Sequence, residues 1–216
     1  MKQPTLATDR LRLRRFTPSD AERVRELAGE REIALNTCRI PHPYELEAAR
    51  EWIAGQEKRR EDGEEVTFAI ELGESRELVG AVGLRLETAP ESAELGYWIG
   101  KPYWGRGYAT EAARAVLAYG FEELALDRVY ARHFARNPPS GRILQKLGMR
   151  REGCLRRHHE KWGERLDVVF YGMLREEYPG LGQAEGHGRP REGVAAGARE
   201  ESDPVASESH SARRPS

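Results

Sequence analysis

The sequence is poor in the features that mark specialised classes of protein. It has two cysteines in 216 residues, Cys38 and Cys154. They form no CxxC pair and have no histidine at ligand spacing, so no metal site is expected. A single disulfide stays open, but two idle thiols in a reducing compartment are the expectation. No apolar run approaches the ~18 residues of a membrane-spanning helix, so no membrane partner is expected. Residues 1–10 lack the apolar stretch of a secretion signal, which predicts a cytoplasmic protein. Charge is nearly balanced as well: 35 Lys and Arg against 36 Asp and Glu leave a net charge of -1. That excludes the broad basic field by which nucleic acid is held.

The last part of the chain lacks a core. Residues 179–216 contain six Gly, four Pro and no Phe, Trp or Tyr, and their large aliphatics are Leu181, Val194 and Val205. Too little apolar surface is available there to offset the entropy of ordering. The expectation is one folded domain over residues 1–178 and a disordered polar tail over 179–216.

Within the domain, hydrophobic spacing predicts alternating strands and helices. Leu11, Leu13 and Phe16 alternate with arginines, as in a half-buried strand. Thr17 and Pro18 suit the cap and first residue of a helix. A second helix is expected over 44–60. Strands follow at 66–72, 78–86 and 93–99, linked too tightly for crossovers and therefore antiparallel. A helix at 108–124, a strand at 128–134, a helix from 138 or 139 to 147, and strands at 149–158 and 166–174 complete the order. This is an α+β pattern with a mixed, mostly antiparallel sheet.

The most informative stretch runs from Gly96 to Ala112: strand, glycine-rich turn, helix start. A helix start exposes unpaired N–H groups and partial positive charge, and glycine lets an anion approach the backbone. Gly105 and Gly107 with the small Ala109 would thus make a cradle for a pyrophosphate. An ordinary turn with two glycines explains the same residues. The turn is neither a Walker loop, since no Lys-Ser or Lys-Thr follows, nor a dinucleotide fingerprint, since the third glycine is missing.

Here the chain resembles the GCN5-related N-acetyltransferase (GNAT) superfamily. Trp104-Gly105-Arg106-Gly107-Tyr108-Ala109 matches that family's Gln/Arg-x-x-Gly-x-Gly/Ala turn, with Trp104 departing from its first position. The form Trp-Gly-x-Gly-Tyr-Ala-Thr-Glu-Ala is similar to the branch that acetylates ribosomal-protein N-termini (RimJ/RimL-like). Further matches are Thr8-Asp9-Arg10-Leu11-Arg12-Leu13-Arg14, Glu94-Leu95-Gly96-Tyr97-Trp98-Ile99, Asn137-Pro138-Pro139-Ser140, Glu152-Gly153 and Asp167-Val168-Val169-Phe170-Tyr171-Gly172. The resemblance covers about residues 5 to 178.

It implies a GNAT fold of six to seven strands with a splayed central strand and about four helices. It implies acetyl-CoA as co-substrate, bound at its pyrophosphate by Trp104, Gly105, Arg106, Gly107, Tyr108, Ala109 and Thr110. Trp98, Ile99 and Gly100 would pair with the pantetheine arm, with an N–H near Ile99 facing the thioester oxygen, and Asn137 would hold the same arm. Ser140 is the expected acid at the sulfur, with Tyr103 and Tyr108 as alternatives. Asn137 and Ser140 also suit a plain helix cap and first turn. Glu94, acting through water, is the expected base. His159 stands where the related branch has a carboxylate and is a second candidate, its ordinary pKa being near 6.5. Either could equally be a polar strand residue. Arg39, His42 and Tyr44 lie in the loop expected to wall the acceptor pocket. The expected acceptor is a protein N-terminal amine. A small amine (antibiotic, polyamine, amino acid), a non-catalytic acyl-CoA sensor and a structural ribosome-associated protein remain alternatives, and a homodimer stays open.

Overall fold

The computed structural model describes residues 3–87 and 91–180. The expected tail, 179–216, lies almost wholly outside the described residues. The elements are β1 (Leu6–Ala7), β2 (Leu11–Arg14), α1 (Ala21–Ala28), α2 (Arg31–Asn36), α3 (Leu46–Glu61), β3 (Glu65–Leu72), β4 (Leu78–Glu87), β5 (Ser92–Ile99), α4 (Tyr108–Ala118), β6 (Arg128–Phe134), α5 (Pro138–Lys146), β7 (Arg150–Lys161) and β8 (Glu164–Leu174). The eight strands form one sheet in the order β1-β2-β3-β4-β5-β6-β8-β7. Every neighbouring pair is antiparallel except β5 and β6. The architecture is the mixed α+β one expected, with eight strands among the described residues rather than six or seven and a fifth, short α-helix there, α2.

Alternation along the strands sorts side chains onto two faces. Val66 and Phe68 of β3, Val82 and Leu84 of β4, Leu95 of β5 and Val129 of β6 join Ala112, Ala113, Val116, Leu117 and Leu144 from α4 and α5 in the main core. On the opposite face Ala69 and Leu78 pack against Ala21, Val24, Ala49 and Ile53 of α1 and α3. Burying one such aliphatic side chain contributes about 1.5–3 kcal/mol. The helix expected over 108–124 is α-helical only to Ala118. Residues Tyr119–Glu123 widen into a π turn, where Gly120 presses on the sheet and a Cβ would stand 3.0 Å from Leu84 Cδ1.

The parallel pair is brief. β5 and β6 are in register at Ser92/Arg128, Ala93/Val129 and Glu94/Tyr130. Beyond Glu94 the strands part, and this leaves one edge of β5 without a strand neighbour. A cleft of about 1030 Å³ opens there, walled by α1, α2 and the 37–44 loop on one sheet face and by α4 and α5 on the other.

Candidate functional site

The glycine turn lies at the mouth of this splay. Gly105 and Gly107 have φ of 75° and 81°, the left-handed region that favours glycine. A Cβ on Gly105 would meet nothing within 4 Å, so the backbone there is bare toward the cleft. Gly107 is the N-cap of α4 and has no side chain to cap it. The first helical bond at this end is Glu111 N to Gly107 O, 3.1 Å. The N–H groups of Tyr108, Ala109 and Thr110 therefore precede the ladder and are offered outward. Trp104, Gly105, Gly107, Tyr108, Ala109 and Thr110 all line the cleft. Arg106 does not. Its guanidinium lies over the Tyr103 ring, 5.8 Å from the centroid.

A clamp from the N-terminal segment holds the turn. Arg10 donates from Nη1 to the Arg106 carbonyl (3.0 Å) and from Nε to Glu111 Oε2 (2.7 Å). Glu111 Oε1 accepts from the Thr8 hydroxyl (2.6 Å) and the Arg10 N–H (2.9 Å). Burial alone would raise the Glu111 carboxyl, but these hydrogen bonds outweigh it and hold it below the usual carboxylate range. Thr8, Arg10 and Glu111 all stood in the matched motifs, yet spacing could not show that they meet across 101 residues or more. Trp104 has a geometric explanation as well: its indole N–H donates to the Ile99 carbonyl at 2.6 Å and ties the turn back to the end of β5.

Ile99 and Trp98 line the cleft at the open edge, whereas Gly100 is buried against Leu27 and outside the lining. The Gly100 N–H donates to Val79 O, toward β4. N–H groups alternate between edges along a strand, so that of Ile99 points into the splay.

Across the gap, Asn137 caps α5 without using its side chain in the cap, and that side chain lines the cleft. Ser140 lies one turn on. Its hydroxyl is 2.8 Å from the Tyr97 hydroxyl, which also donates to the Ser140 carbonyl at 3.3 Å. Burial pushes the Tyr97 phenol up to about 12, with the Ser140 hydrogen bond opposing the shift. Tyr97 is thus the phenol beside Ser140. Tyr103 also lines the cleft, but its hydroxyl is engaged by Arg23 (2.6 Å) and Glu77. Tyr108 lines the cleft at the start of α4, with the Arg10 guanidinium over its ring.

On the other sheet face the floor of the cleft is Gly96. A Cβ there would meet nothing within 4 Å, although the residue sits mid-strand between Glu94 and Trp98. Glu94 is buried, with Oε1 accepting from Arg132 Nε (2.7 Å) and Oε2 from Arg85. Arg39 and Tyr44 line the cleft from the loop above. His42 lies outside the lining, with Nδ1 3.1 Å from the Gly29 carbonyl. His159 also lies outside it, its ring 5.3 Å from that of Phe134, and burial foremost, then the neighbouring Arg132 and Lys161 charges, lowers its pKa. Spacing did not single out Tyr97, Gly96, Arg85 or Arg132, because each gains its place only through cross-strand register.

Comparison with known proteins agrees with this geometry. The family model for the GNAT acetyltransferase domain matches residues 10–150. The chain is 31% identical over 177 residues to the uncharacterized N-acetyltransferase p20 of Bacillus licheniformis, covering 82% of this chain and 99% of that one. It is 27% identical over 99 residues to the ribosomal-protein-serine acetyltransferase of Escherichia coli, covering 45% of this chain and 55% of the relative. Among solved structures, Mycobacterium smegmatis RimJ in complex with CoA-disulfide superposes with a TM-score of 0.71 at 26% identity, covering 78% of this chain and 84% of the other.

Proposed function

The chain thus belongs to the GNAT family of N-acetyltransferases, and from that premise we propose that it transfers the acetyl group of acetyl-CoA to a protein N-terminal α-amine by direct attack. The observation that carries this reading is the meeting of the splayed β5 edge with the uncapped start of α4. The residues fit the coenzyme. The amides at 108–110 and the bare turn at Gly105 would hold the diphosphate, with Arg142 and Lys146 of α5 adding positive charge along the same wall. The edge at Trp98 and Ile99, with the Asn137 amide, would hold the pantetheine arm. When bound, the coenzyme supplies an activated thioester, so no covalent enzyme intermediate is needed.

The chain's own groups then have three tasks. The Ile99 N–H, aimed into the splay, would stabilise the negative charge that develops on the carbonyl oxygen, a role that contributes about 2.7–4 kcal/mol where it is well aimed. The Ser140 hydroxyl, held in place by the Tyr97 hydroxyl, would protonate the departing sulfur so that CoA leaves as the thiol, and the proton released by the attacking nitrogen would return through water to restore Ser140. An α-amine has an ordinary pKa of about 7.7–8.0, so much of it is already neutral near pH 8. Glu94, whose oxygens both face guanidinium groups, would act by holding a water beside the amine. A lysine side chain, near 10.4, would need a stronger base.

N-terminal acceptance is supported by the likeness to the E. coli ribosomal-protein-serine enzyme. The test offers peptides with free α-amines, lysine peptides blocked at the N-terminus, and small amines, following thiol release and locating the acetyl group by mass spectrometry. Acetylation confined to α-amines, with kcat/KM rising to about pH 8 and then levelling, is expected. Exclusive acetylation of small amines would overturn the acceptor assignment.

A further inference from the structure

The acceptor half of the cleft carries more positive than negative charge, and the surplus comes from a row of residues fixed by strand register. Glu65 of β3 faces Arg85 of β4, and Arg85 faces Glu94 of β5. Glu94 pairs with Tyr130 of β6, which places Arg132, two residues on, on the same face. Arg39 reaches down from the 37–44 loop and Arg59 from α3, each 3.8 Å from Glu65 Oε2. All six side chains line the cleft. Four guanidiniums therefore share two carboxylates. Other charges at the rim are already matched, Glu32 with Lys101 and Arg136 with Glu164.

The pairing within the row is incomplete. The 3.8 Å separations at Glu65 exceed hydrogen-bond length. Arg59 Nε is buried without a hydrogen-bond acceptor. Arg132 engages Glu94 through Nε, and the terminal nitrogens of its fork take no part in that bond. The loop bearing Arg39 is pinned from below, because Lys161 Nζ donates to the carbonyls of Thr37 (2.5 Å) and Ile40 (2.9 Å). A guanidinium fork held beside open space suits a carboxylate, which it can bind through two parallel hydrogen bonds.

We propose that this row is a specificity subsite for an acceptor peptide whose second side chain is Asp or Glu. The proposal rests on the reading of the cleft as an N-terminal acetyltransferase site. Distance selects the second position. The amine must reach the open edge over Gly96, and Arg85 and Arg132 flank Glu94, two residues back along β5. Two strand residues span about 7 Å, the reach from an α-amine to the carboxylate of the following residue. Glu94 keeps Arg85 and Arg132 extended across the sheet, so it acts on acceptor choice as a positioning residue.

The test compares three peptides that differ at the second residue alone, Ala-Glu, Ala-Gln and Ala-Lys followed by a common neutral sequence. Both kcat/KM and direct binding by titration calorimetry are measured. The expected order is Glu above Gln above Lys, with Glu favoured over Gln by about 10-fold, mostly in KM, and the gap narrowing as salt rises. Arg39→Glu, at a side chain 58% exposed, is expected to bring the Glu and Lys peptides together or invert their order, and Arg132→Gln to shrink the Glu preference. Thermal melts of both variants confirm folding. Equal kcat/KM for all three peptides overturns the subsite while leaving the acetyltransferase reading in place. Absence of peptide acetylation beside turnover of small amines removes the acceptor reading itself.

Discussion

Ser140 and Gly96 are the two positions at which single side chains most sharply test the site. Removing the Ser140 hydroxyl takes a proton donor from the sulfur but leaves the diphosphate cradle intact. Ser140→Ala is therefore expected to lower kcat by about 10²-fold, the lower end of general acid catalysis, with the KM for acetyl-CoA changed little. Tyr97→Phe, which removes the partner hydroxyl at 2.8 Å, should give a smaller loss in the same parameter. Steady-state kinetics in both substrates checks the pair, and an unaltered kcat in Ser140→Ala removes it as the acid. Gly96 tests space rather than chemistry. A Cβ at this site meets no neighbour within 4 Å, so Gly96→Val should leave the melting temperature nearly unchanged while filling the floor where the acceptor arrives. A rise in acceptor KM of at least ~10-fold is expected. Unchanged acceptor kinetics would place the amine elsewhere.

At the scale of elements, the decisive contact joins the segment before β2 to the first turn of α4. Glu111 takes hydrogen bonds from Thr8 and Arg10 while Arg10 also grips the Arg106 carbonyl, so the turn is held open by a residue far away in sequence. Glu111→Gln keeps the shape but loses the ionic character of these bonds, and a hydrogen bond to a charged group contributes about 1.5–3 kcal/mol. Weakening of acetyl-CoA binding by roughly 10-fold in calorimetric titration is the expected outcome, and full affinity would show that the clamp is irrelevant to the cradle. Periodicity made most elements legible: β3, β4, β5, β6, α3 and α5 fall within a residue or two of the spans that spacing predicts. It missed β1, whose two residues carry no pattern, and α2, whose six residues hold too few turns to show one. It also ran α4 on through the π turn, since Tyr119 and Phe121 continue an apolar rhythm that the backbone does not follow. The glycine turn was visible because glycine is costly elsewhere. The Glu65–Arg85–Glu94–Arg132 row was not, because nothing in one strand's sequence states which residue of its neighbour lies opposite.

For the whole molecule, ionisation sets a direction for stability. Burial would raise the Asp20 carboxyl, yet hydrogen bonds from Arg14 and the Thr17 N–H outweigh it, and Glu152 is lowered chiefly by its hydrogen bond from Arg128. Together with Glu111, these groups have folded pKa values below their unfolded ones. Their contribution is present above about pH 4 and is lost as pH falls through the folded values. Burial, foremost, lowers the pKa of His133, with a hydrogen bond to Phe134 O opposing it. In the fold it takes up a proton less readily than an unfolded histidine, which protonates below about pH 6.5, so its share is lost earlier. Thermal melts should therefore fall gently from pH 7 to 5 and steeply below 4, and His133→Gln should flatten the gentle part. A melting temperature that rises on acidification would contradict this assignment.

The central claim is that main-chain amides at the start of α4, bared by Gly105 and Gly107, hold the coenzyme's diphosphate in the splay between β5 and β6. A crystal structure of the protein with acetyl-CoA tests it most directly. Diphosphate oxygens about 2.7–3.2 Å from the backbone nitrogens of Tyr108, Ala109 and Thr110, with the thioester carbonyl facing the Ile99 N–H, are the predicted result. A diphosphate bound away from that turn would contradict the account.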